Sequence, residues 1–341
     1  MFEIAEMLPP RQAGTDLWPK MRQAGITRAV GTFAAAGDPR HDADQPWDYL
    51  PLLKLKQWYI DYGFQLDVIE DRPPLNLAKR GLPGRDEEID QVITLLENMG
   101  TLGIPVWCYE WMADFKWLRT STSVPSRGGS TVSGYDHALM ASAPPTEHGG
   151  LSEEQLWESL AYFFDRVLPV AERAGVIMAM HPDDPPISPI RGVGRIMSSL
   201  EGFDRLLAMS DSPSNAITLC QGNFALMTDD LPATIHHFGD RVAFVHMRDV
   251  RGTRESFVET WHDDGPTDLA ACVEAYRDIG FEGVMRPDHV PTLIGEEDQE
   301  AGYATLGRLF AVGYLRGLQH AAFRTVDAPQ TPSSPHTGSG A

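Results

Sequence analysis

The run SEEQLWESLAYFFDRVLPVAERAGVIMAMH, residues 152–181, contains the pattern that decides the fold. Ser152 and Gln155 are spaced as a capping box, in which two side chains satisfy the free backbone amides at the start of a helix. Helical periodicity follows up to residue 174, and Gly175 supplies the left-handed turn that commonly ends a helix. A short apolar run then ends on His181. The stretch therefore predicts a helix, a turn and a buried strand with a polar side chain at its carboxyl end.

This helix–turn–strand unit recurs along the whole chain. Short apolar, β-branched runs predict eight strands, at residues 2–7, 26–33, 64–70, 104–110, 176–181, 216–220, 242–247 and 283–288. Helical periods predict eight helices, at residues 16–23, 47–62, 86–102, 152–174, 195–209, 229–238, 267–279 and 302–318. Alternating strands and helices form parallel βαβ units, and eight of these close into a single (β/α)8 (TIM) barrel. An open doubly wound sheet is the competing architecture, because periodicity alone does not separate the two.

Two segments interrupt the alternation. Residues 120–150 are rich in Ser, Gly, Thr and Pro and follow the fourth strand, so we expect a lid insertion at the carboxyl face of the barrel rather than a loose loop. The residues from 325 onward cannot bury apolar surface. We therefore predict a barrel domain over residues 1–324 and a disordered tail over 325–341.

The composition excludes several classes of function. The chain has 28 basic and 48 acidic residues, a formal net charge of -20, and such a surface repels nucleic acid and anionic membranes. The three cysteines, Cys108, Cys220 and Cys272, have no CxxC spacing, which favours a reducing compartment over a disulfide framework. The chain shows neither a signal-peptide pattern nor a membrane-length apolar run. We expect a cytoplasmic protein that acts on a small molecule.

Polar residues end each of the last four predicted strands: His181, Cys220, His246 and Asp288. A barrel gathers the carboxyl ends of its strands around one pocket. Each residue alone has an ordinary structural explanation, since a strand-end cysteine is commonly a small buried hydrophobe. Four plausible ligands at matching places on successive strands favour one divalent-metal site.

The ligand types narrow the choice of metal. A thiolate disfavours Mg²⁺ and Ca²⁺, which prefer oxygen. Two imidazoles, a thiolate and a carboxylate suit Mn²⁺, Fe²⁺, Co²⁺ or Zn²⁺. Four protein ligands either close a tetrahedral structural site or leave positions open on a metal of higher coordination number.

Longer motifs resemble the mannonate dehydratase family. They include AMHPDDPP at residues 179–186, FVHMR at 244–248, HDDG at 262–265 and RPDH at 286–289, and the likeness covers about residues 15–320 in order. The resemblance implies a xylose-isomerase-like barrel. It also implies dehydration of D-mannonate, a sugar acid, to 2-keto-3-deoxy-D-gluconate in glucuronate catabolism.

The resemblance assigns roles to individual residues. It implies a Mn²⁺ or Fe²⁺ site at the four strand-end residues, and an acid–base pair at His289 and Tyr303. It further implies a homo-oligomer, although the sequence has no interface signal of its own.

Five further residues are candidates for binding the substrate. Arg119 and Arg248 suit the substrate carboxylate, because guanidinium groups bind carboxylates with paired hydrogen bonds. Trp117, His262 and Asp183 lie in the matching segments.

The chain departs from the family pattern at residues 71–74, at Glu110, at residues 221–224 and at Asp249. We expect these positions to face the substrate, so the sequence indicates the reaction class more firmly than the substrate. Two other functions stay open at this stage. One is a metal-dependent sugar isomerase or epimerase on the same barrel. The other is a catalytically silent barrel that binds a sugar acid.

Overall fold

The computed structural model describes residues 1–33 and 44–324. Its strands are β1 (Glu3–Met7), β2 (Arg28–Gly31), β3 (Gln65–Ile69), β4 (Val106–Glu110), β5 (Ser121–Pro125), β6 (Thr131–Asp136), β7 (Ile177–His181), β8 (Asn215–Cys220), β9 (Val242–Met247), β10 (Val250–Thr253), β11 (Ser256–Glu259) and β12 (Val284–Pro287). Its α-helices are α1 (Leu17–Gln23), α2 (Tyr49–Asp61), α3 (Asn76–Arg80), α4 (Arg85–Leu102), α5 (Glu153–Ala174), α6 (Leu200–Ala208), α7 (Gln221–Ala225), α8 (Leu231–Phe238), α9 (Leu269–Asp278) and α10 (Thr305–Ala322).

Eight parallel strands close into a barrel in the order β1-β12-β9-β8-β7-β4-β3-β2, which confirms the predicted (β/α)8 fold. Apolar side chains, most of them small or branched like Val68, Val106 and Ala179, fill the barrel interior together with the ring of Phe244. A second, larger apolar layer lies between the barrel and the helices around it. The barrel is therefore a packed core, and its polar strand ends are left to form a pocket at one face.

The local signals around α5 are confirmed. The Ser152 hydroxyl accepts a hydrogen bond from the Gln155 amide, and the Gln155 side chain accepts one from the Ser152 amide. Gly175 ends the helix with φ +67°, a left-handed conformation that glycine adopts without strain. These contacts fix where β7 begins, and so they fix the position of His181 at its carboxyl end.

A four-stranded antiparallel sheet, which we call the lid sheet, was not predicted as a sheet. Its order is β10-β11-β6-β5. The predicted insertion after β4 contributes β5 and β6, and the segment after β9 contributes β10 and β11. The central pairing sets Ser256 opposite Asp136 and Val258 opposite Gly134. The two connections are thereby joined into one layer at the carboxyl face of the barrel.

Two helices begin three or more residues later than predicted. The helix predicted from residue 195 begins at Leu200, because the Asp183 carboxylate accepts the Met197 amide at 2.7 Å and holds the preceding segment as a loop. The helix predicted from residue 302 begins at Thr305, which leaves Tyr303 in the preceding loop.

The predicted tail, residues 325–341, lies outside the described residues. None of the helices described here combines the length and the hydropathy that crossing a membrane requires.

Candidate active site

A cavity of about 410 Å³ lies at the carboxyl ends of the barrel strands. Six of the predicted ligand, catalytic and substrate-binding residues line it: His181, His246, Asp288, His289, Tyr303 and Trp117. Residues separated by more than a hundred positions in the chain thus meet in one pocket, as the barrel geometry requires.

The four predicted metal ligands lie together. One donor atom from each of His181, Cys220 and His246 lies within 4.8 Å of the other two. The Asp288 Oδ2 atom lies 3.9 Å from the Cys220 Sγ atom and 3.8 Å from the His246 Nδ1 atom. Two imidazoles, a thiol and a carboxylate therefore surround one point, and this donor set suits a divalent transition metal. We call these four residues, His181, Cys220, His246 and Asp288, the donor cluster.

Neighbouring groups orient both imidazoles. The Pro182 carbonyl lies 2.7 Å from His181 Nδ1 and accepts its proton, which leaves Nε2 as the donor atom toward the cluster. The Glu70 Oε2 atom lies 3.2 Å from His246 Nε2, which leaves Nδ1 on the cluster side. Such partners fix the tautomer and the ring orientation of metal-binding histidines. The residues therefore fit a bound metal in their hydrogen bonding as well as in their identity.

Glu70 belongs to this arrangement, although the sequence analysis missed it. Its carboxylate accepts two hydrogen bonds from Arg286, at 2.9 and 3.1 Å, and Arg286 also donates to Asp288 Oδ1 at 2.8 Å. Burial alone would raise the pKa of Glu70, but the charges of Arg286 and His246 outweigh burial and lower the pKa to about 2. Arg286 thus joins two ionised carboxylates on either side of the donor cluster.

A second group of possible ligands comprises Glu70, Cys108 and His246. The Cys108 sulfur accepts a hydrogen bond from the Thr218 hydroxyl at 3.3 Å. Burial raises the pKa of the Cys108 thiol well above its usual range. Because thiolates rather than thiols bind metals, the raised pKa disfavours Cys108 as a ligand.

The Nδ1 atom of His289 contacts charged groups that the cavity does not reach. It lies 2.9 Å from Glu259 Oε1, 2.7 Å from Arg248 Nη1 and 3.1 Å from Arg119 Nη2. The opposite nitrogen, Nε2, is the one left for a substrate. His289 also has φ +31°, a conformation that is uncommon for a residue with a side chain, and its neighbours hold it there.

Arg119 and Arg248 form a buried network with two carboxylates. Both donate to Asp184 and to Glu259, at distances from 2.6 to 3.0 Å. The charges of Arg119 and Arg248 are paired inside the protein, because each guanidinium group faces both carboxylates. Glu259 lies at the end of β11, and so the lid sheet supplies the carboxylate behind His289.

Tyr303 lies beside the donor cluster. Its hydroxyl donates a hydrogen bond to Asp288 Oδ1 at 3.3 Å, and the ring packs edge-on against His289 with the centroids 5.4 Å apart. Burial, followed by the charge of Asp288, raises the pKa of the Tyr303 hydroxyl well above its usual range. The hydroxyl therefore keeps its proton at neutral pH.

Of the other three predicted substrate-binding residues, one lines the cavity and two do not. Trp117 lines the cavity with its ring centroid 5.4 Å from that of His289. His262 is buried and donates from Nε2 to the Met247 carbonyl at 2.8 Å, and Asp183 holds the Met197 amide. The cavity lining, taken over the described residues, includes neither His262 nor Asp183.

The positions at which we expect a departure from the family pattern also fall into two sets, one that lines the cavity and one that does not. Asp71, Arg72 and Glu110 line the cavity. Asp249 instead accepts hydrogen bonds from Thr267, and residues 221–224 belong to α7 beneath the network, with Asn223 accepting from Arg248 at 2.6 Å.

The fold and the donor cluster together define a (β/α)8 barrel with ligands for a divalent metal at the carboxyl ends of its strands. A solved L-ribulose 3-epimerase shares this fold, with a TM-score of 0.62, 14% identity and coverage of 97% of this chain and 100% of that one. At that identity the likeness concerns the fold alone.

Closer relatives identify the family. The family profile described as D-mannonate dehydratase (UxuA) matches residues 17–149 and 147–328. Mannonate dehydratase 1 of Bacillus licheniformis is 35% identical over 308 residues, which cover 80% of this chain and 84% of the relative. The crystal structure of mannonate dehydratase from Streptococcus suis serotype 2 has a TM-score of 0.86 and 31% identity, and covers 94% of this chain and 95% of that one. The chain belongs to the mannonate dehydratase family, whose members are hydro-lyases.

Proposed function

We propose that this protein removes water from a sugar acid, with D-mannonate as the first candidate substrate and 2-keto-3-deoxy-D-gluconate as its product. The observation that carries the proposal is the meeting of the donor cluster with His289 and Tyr303 in one cavity. Family membership supports the same reaction.

The metal in this proposal is Mn²⁺ or Fe²⁺, held by His181, Cys220, His246 and Asp288. Both ions accept mixed nitrogen, sulfur and oxygen ligands and leave positions for a substrate. When bound, such an ion supplies Lewis-acid chemistry, which withdraws negative charge from the substrate carboxylate and makes the neighbouring proton more acidic.

His289 and Tyr303 carry out the proton transfers in the proposed reaction. His289 Nε2 removes the proton from C2, and the Tyr303 hydroxyl donates its proton to the hydroxyl group that leaves C3. The C2–H and C3–O bonds break, a C2–C3 double bond forms and water departs. The resulting enol takes up a proton at C3 and loses the proton of its C2 hydroxyl group, and so becomes the 2-keto acid. Tyr303 suits the donor role because its environment keeps it protonated.

The remaining predicted residues support this pair. In the proposed base form of His289, the Nδ1 proton points to Glu259 Oε1, at 2.9 Å, and Nε2 acts as the base; Arg119 and Arg248, which also lie within 3.1 Å of Nδ1, donate to Glu259 and hold it in place. Trp117, next to His289, covers the substrate. Asp183 and His262 brace the loops through their backbone contacts, and direct binding of substrate by these two or by the arginines stays a prediction.

Turnover of a panel of sugar acids tests the proposal. Mn²⁺-loaded protein is incubated with C5 and C6 aldonic acids, and 2-keto-3-deoxy product is measured. The His289→Ala variant should lose activity, whereas His236→Ala, which changes an exposed histidine of α8, should keep it. Absence of product from every acid would overturn the proposal. Interconversion of neutral ketoses would then indicate an isomerase or epimerase, and binding without product a silent barrel.

A further inference from the structure

The ends of β3 and β4 belong to the half of the barrel that carries none of the four candidate metal ligands, although β4 borders β7 and Glu110 is the register partner of His181. In the barrel order, β3 lies four places from β9, and β4 lies four places from β12, so each pair is on opposite sides of the barrel. Arg72, just after β3, and Glu110, at the end of β4, both line the cavity. Arg72 therefore lies across the barrel from His246, and a substrate held at the donor cluster by one end can extend its other end toward Arg72.

The Glu110 carboxylate is occupied by protein donors. It accepts hydrogen bonds from Lys79 Nζ at 2.6 Å, from the Met112 amide at 2.7 Å and from Arg72 Nε at 2.6 Å. The Lys79 side chain is fully buried, with 0% exposed. Glu110 thus serves to hold two cations, and it has little capacity left to accept a hydrogen bond from a substrate hydroxyl.

Arg72 keeps donors for a ligand. Its Nε atom binds Glu110, and its Nη1 atom donates to the Pro73 carbonyl at 3.3 Å. Its Nη2 atom has no hydrogen-bond partner among residues 1–33 and 44–324, and the side chain is 17% exposed. A guanidinium group held at one edge presents its other edge at a fixed angle, which suits the paired oxygens of a carboxylate or phosphate.

The balance of charge on this wall favours an anion. Arg72 carries one positive charge and Lys79, whose pKa burial lowers to about 7, carries a partial one at neutral pH, against the one negative charge of Glu110. Lys116 also lines the cavity and forms no ion pair within the described part of the chain. Asp71 also lines the cavity, but its carboxylate already accepts hydrogen bonds from the backbone amides of Phe33 and Arg72, at 3.2 and 2.9 Å.

We propose that Arg72 is a specificity-determining residue that binds an anionic group at the end of the substrate remote from the metal. Within the proposed dehydration of sugar acids, an acid with a second anionic terminus, a carboxylate or a phosphate, should then bind more tightly than D-mannonate, the first candidate, which ends in a hydroxymethyl group. The inference rests on the proposed function, because it places the substrate's first carboxylate at the donor cluster.

Calorimetric titration of Mn²⁺-loaded protein tests the role of Arg72. Three acids are compared: D-mannonate, its C6 dicarboxylate D-mannarate, and 6-phospho-D-mannonate. Wild type should bind one of the two doubly charged acids at least about 10-fold more tightly than D-mannonate, the size of one charge-assisted hydrogen bond. The preferred acid identifies the terminal group as a carboxylate or a phosphate.

Two variants and a control isolate the contribution of Arg72. Arg72→Gln should remove the preference by weakening only the doubly charged acid about 10- to 100-fold. Arg72→Lys, which keeps the charge, should retain part of the preference. Arg166→Gln, which removes an arginine paired with Asp86 on the outer helices, should change nothing.

Two results would overturn the role of Arg72: a wild type that prefers D-mannonate, or a preference that survives in Arg72→Gln. Product formation is measured on the same samples. Absence of product with an Arg72-dependent binding preference would overturn the proposed dehydration but support the assignment of Arg72.

Discussion

The Glu259 Oε1 atom lies 2.9 Å from His289 Nδ1, so a carboxylate carried by the lid sheet contacts the back of an imidazole that lines the cavity. Glu259 is only 2% exposed, and this contact cannot be exchanged for water without moving the sheet. The lid sheet is therefore part of the site and more than a cover over it.

Glu259→Gln should lower kcat about 10- to 100-fold while the substrate dissociation constant changes less than about 3-fold, as is usual for residues that orient a functional group. It should also lower stability by roughly 3–5 kcal/mol, because it leaves two buried arginines short of a carboxylate. Steady-state kinetics, calorimetric binding and thermal unfolding measure these effects. The exposed neighbour variant Glu255→Gln is the control. An unchanged kcat in Glu259→Gln would contradict the proposed positioning of His289.

Cys220→Ser should weaken Mn²⁺ binding by at least about 10-fold, because a neutral hydroxyl replaces a thiolate ligand. Cys108→Ser should bind Mn²⁺ as wild type does, since the Cys108 sulfur already accepts a hydrogen bond from the Thr218 hydroxyl. Metal content after dialysis and titration of apoprotein measure both. The reverse pattern would place the ion in the group formed by Glu70, Cys108 and His246.

Acidification should destabilise the protein through Glu110. Burial raises its pKa, but the charges of Lys79 and Arg72 outweigh burial and lower the pKa to about 2. Because the folded pKa lies below the unfolded value, this stabilisation is present above pH 4.5 and is lost as the pH falls toward about 2. Burial lowers the pKa of Lys79 to about 7 despite Glu110, which leaves the lysine protonated throughout this acidic range.

Thermal unfolding between pH 6 and pH 3 measures this effect. Glu110→Gln should be less stable than wild type at pH 6 and should lose less stability between pH 6 and pH 3, by roughly 2 kcal/mol. Parallel pH profiles of the two proteins would show that Glu110 is not an ionised partner of Lys79.

Gly222→Ala should displace Arg248. A Cβ atom at Gly222 would lie 2.6 Å from Arg248 Nε, which is closer than packed atoms allow. We expect a loss of roughly 1–3 kcal/mol of stability and a lower kcat, because Arg248 contacts His289. Gly313→Ala on α10 is the control, since nothing lies within 4 Å of its added Cβ and the change should stabilise the helix. Equal unfolding temperatures for Gly222→Ala and wild type would show that Arg248 is free to move.

The barrel and the strand-end cluster could be predicted from the sequence because each barrel strand is an apolar run with a clear polar end, as at His181. The lid sheet could not. Ser121–Pro125 is mostly exposed and pairs only with another lid strand, so it has no apolar alternation to reveal it. Glu259 was missed because β11 is only four residues long and pairs with strands outside the barrel, so the pattern that predicts barrel strands does not include it. The contact of Glu110 with Lys79 joins residues 31 positions apart, and no local pattern indicates such a pairing.

The pairing of Ser256 with Asp136 also limits which insertions and deletions this protein can tolerate during evolution. Two connections that are remote in the gene share one hydrogen-bonded ladder, so a deletion in one of them would shift the register of the other and withdraw Glu259 from His289. Loop transplants between relatives should therefore succeed only when both hairpins are exchanged together.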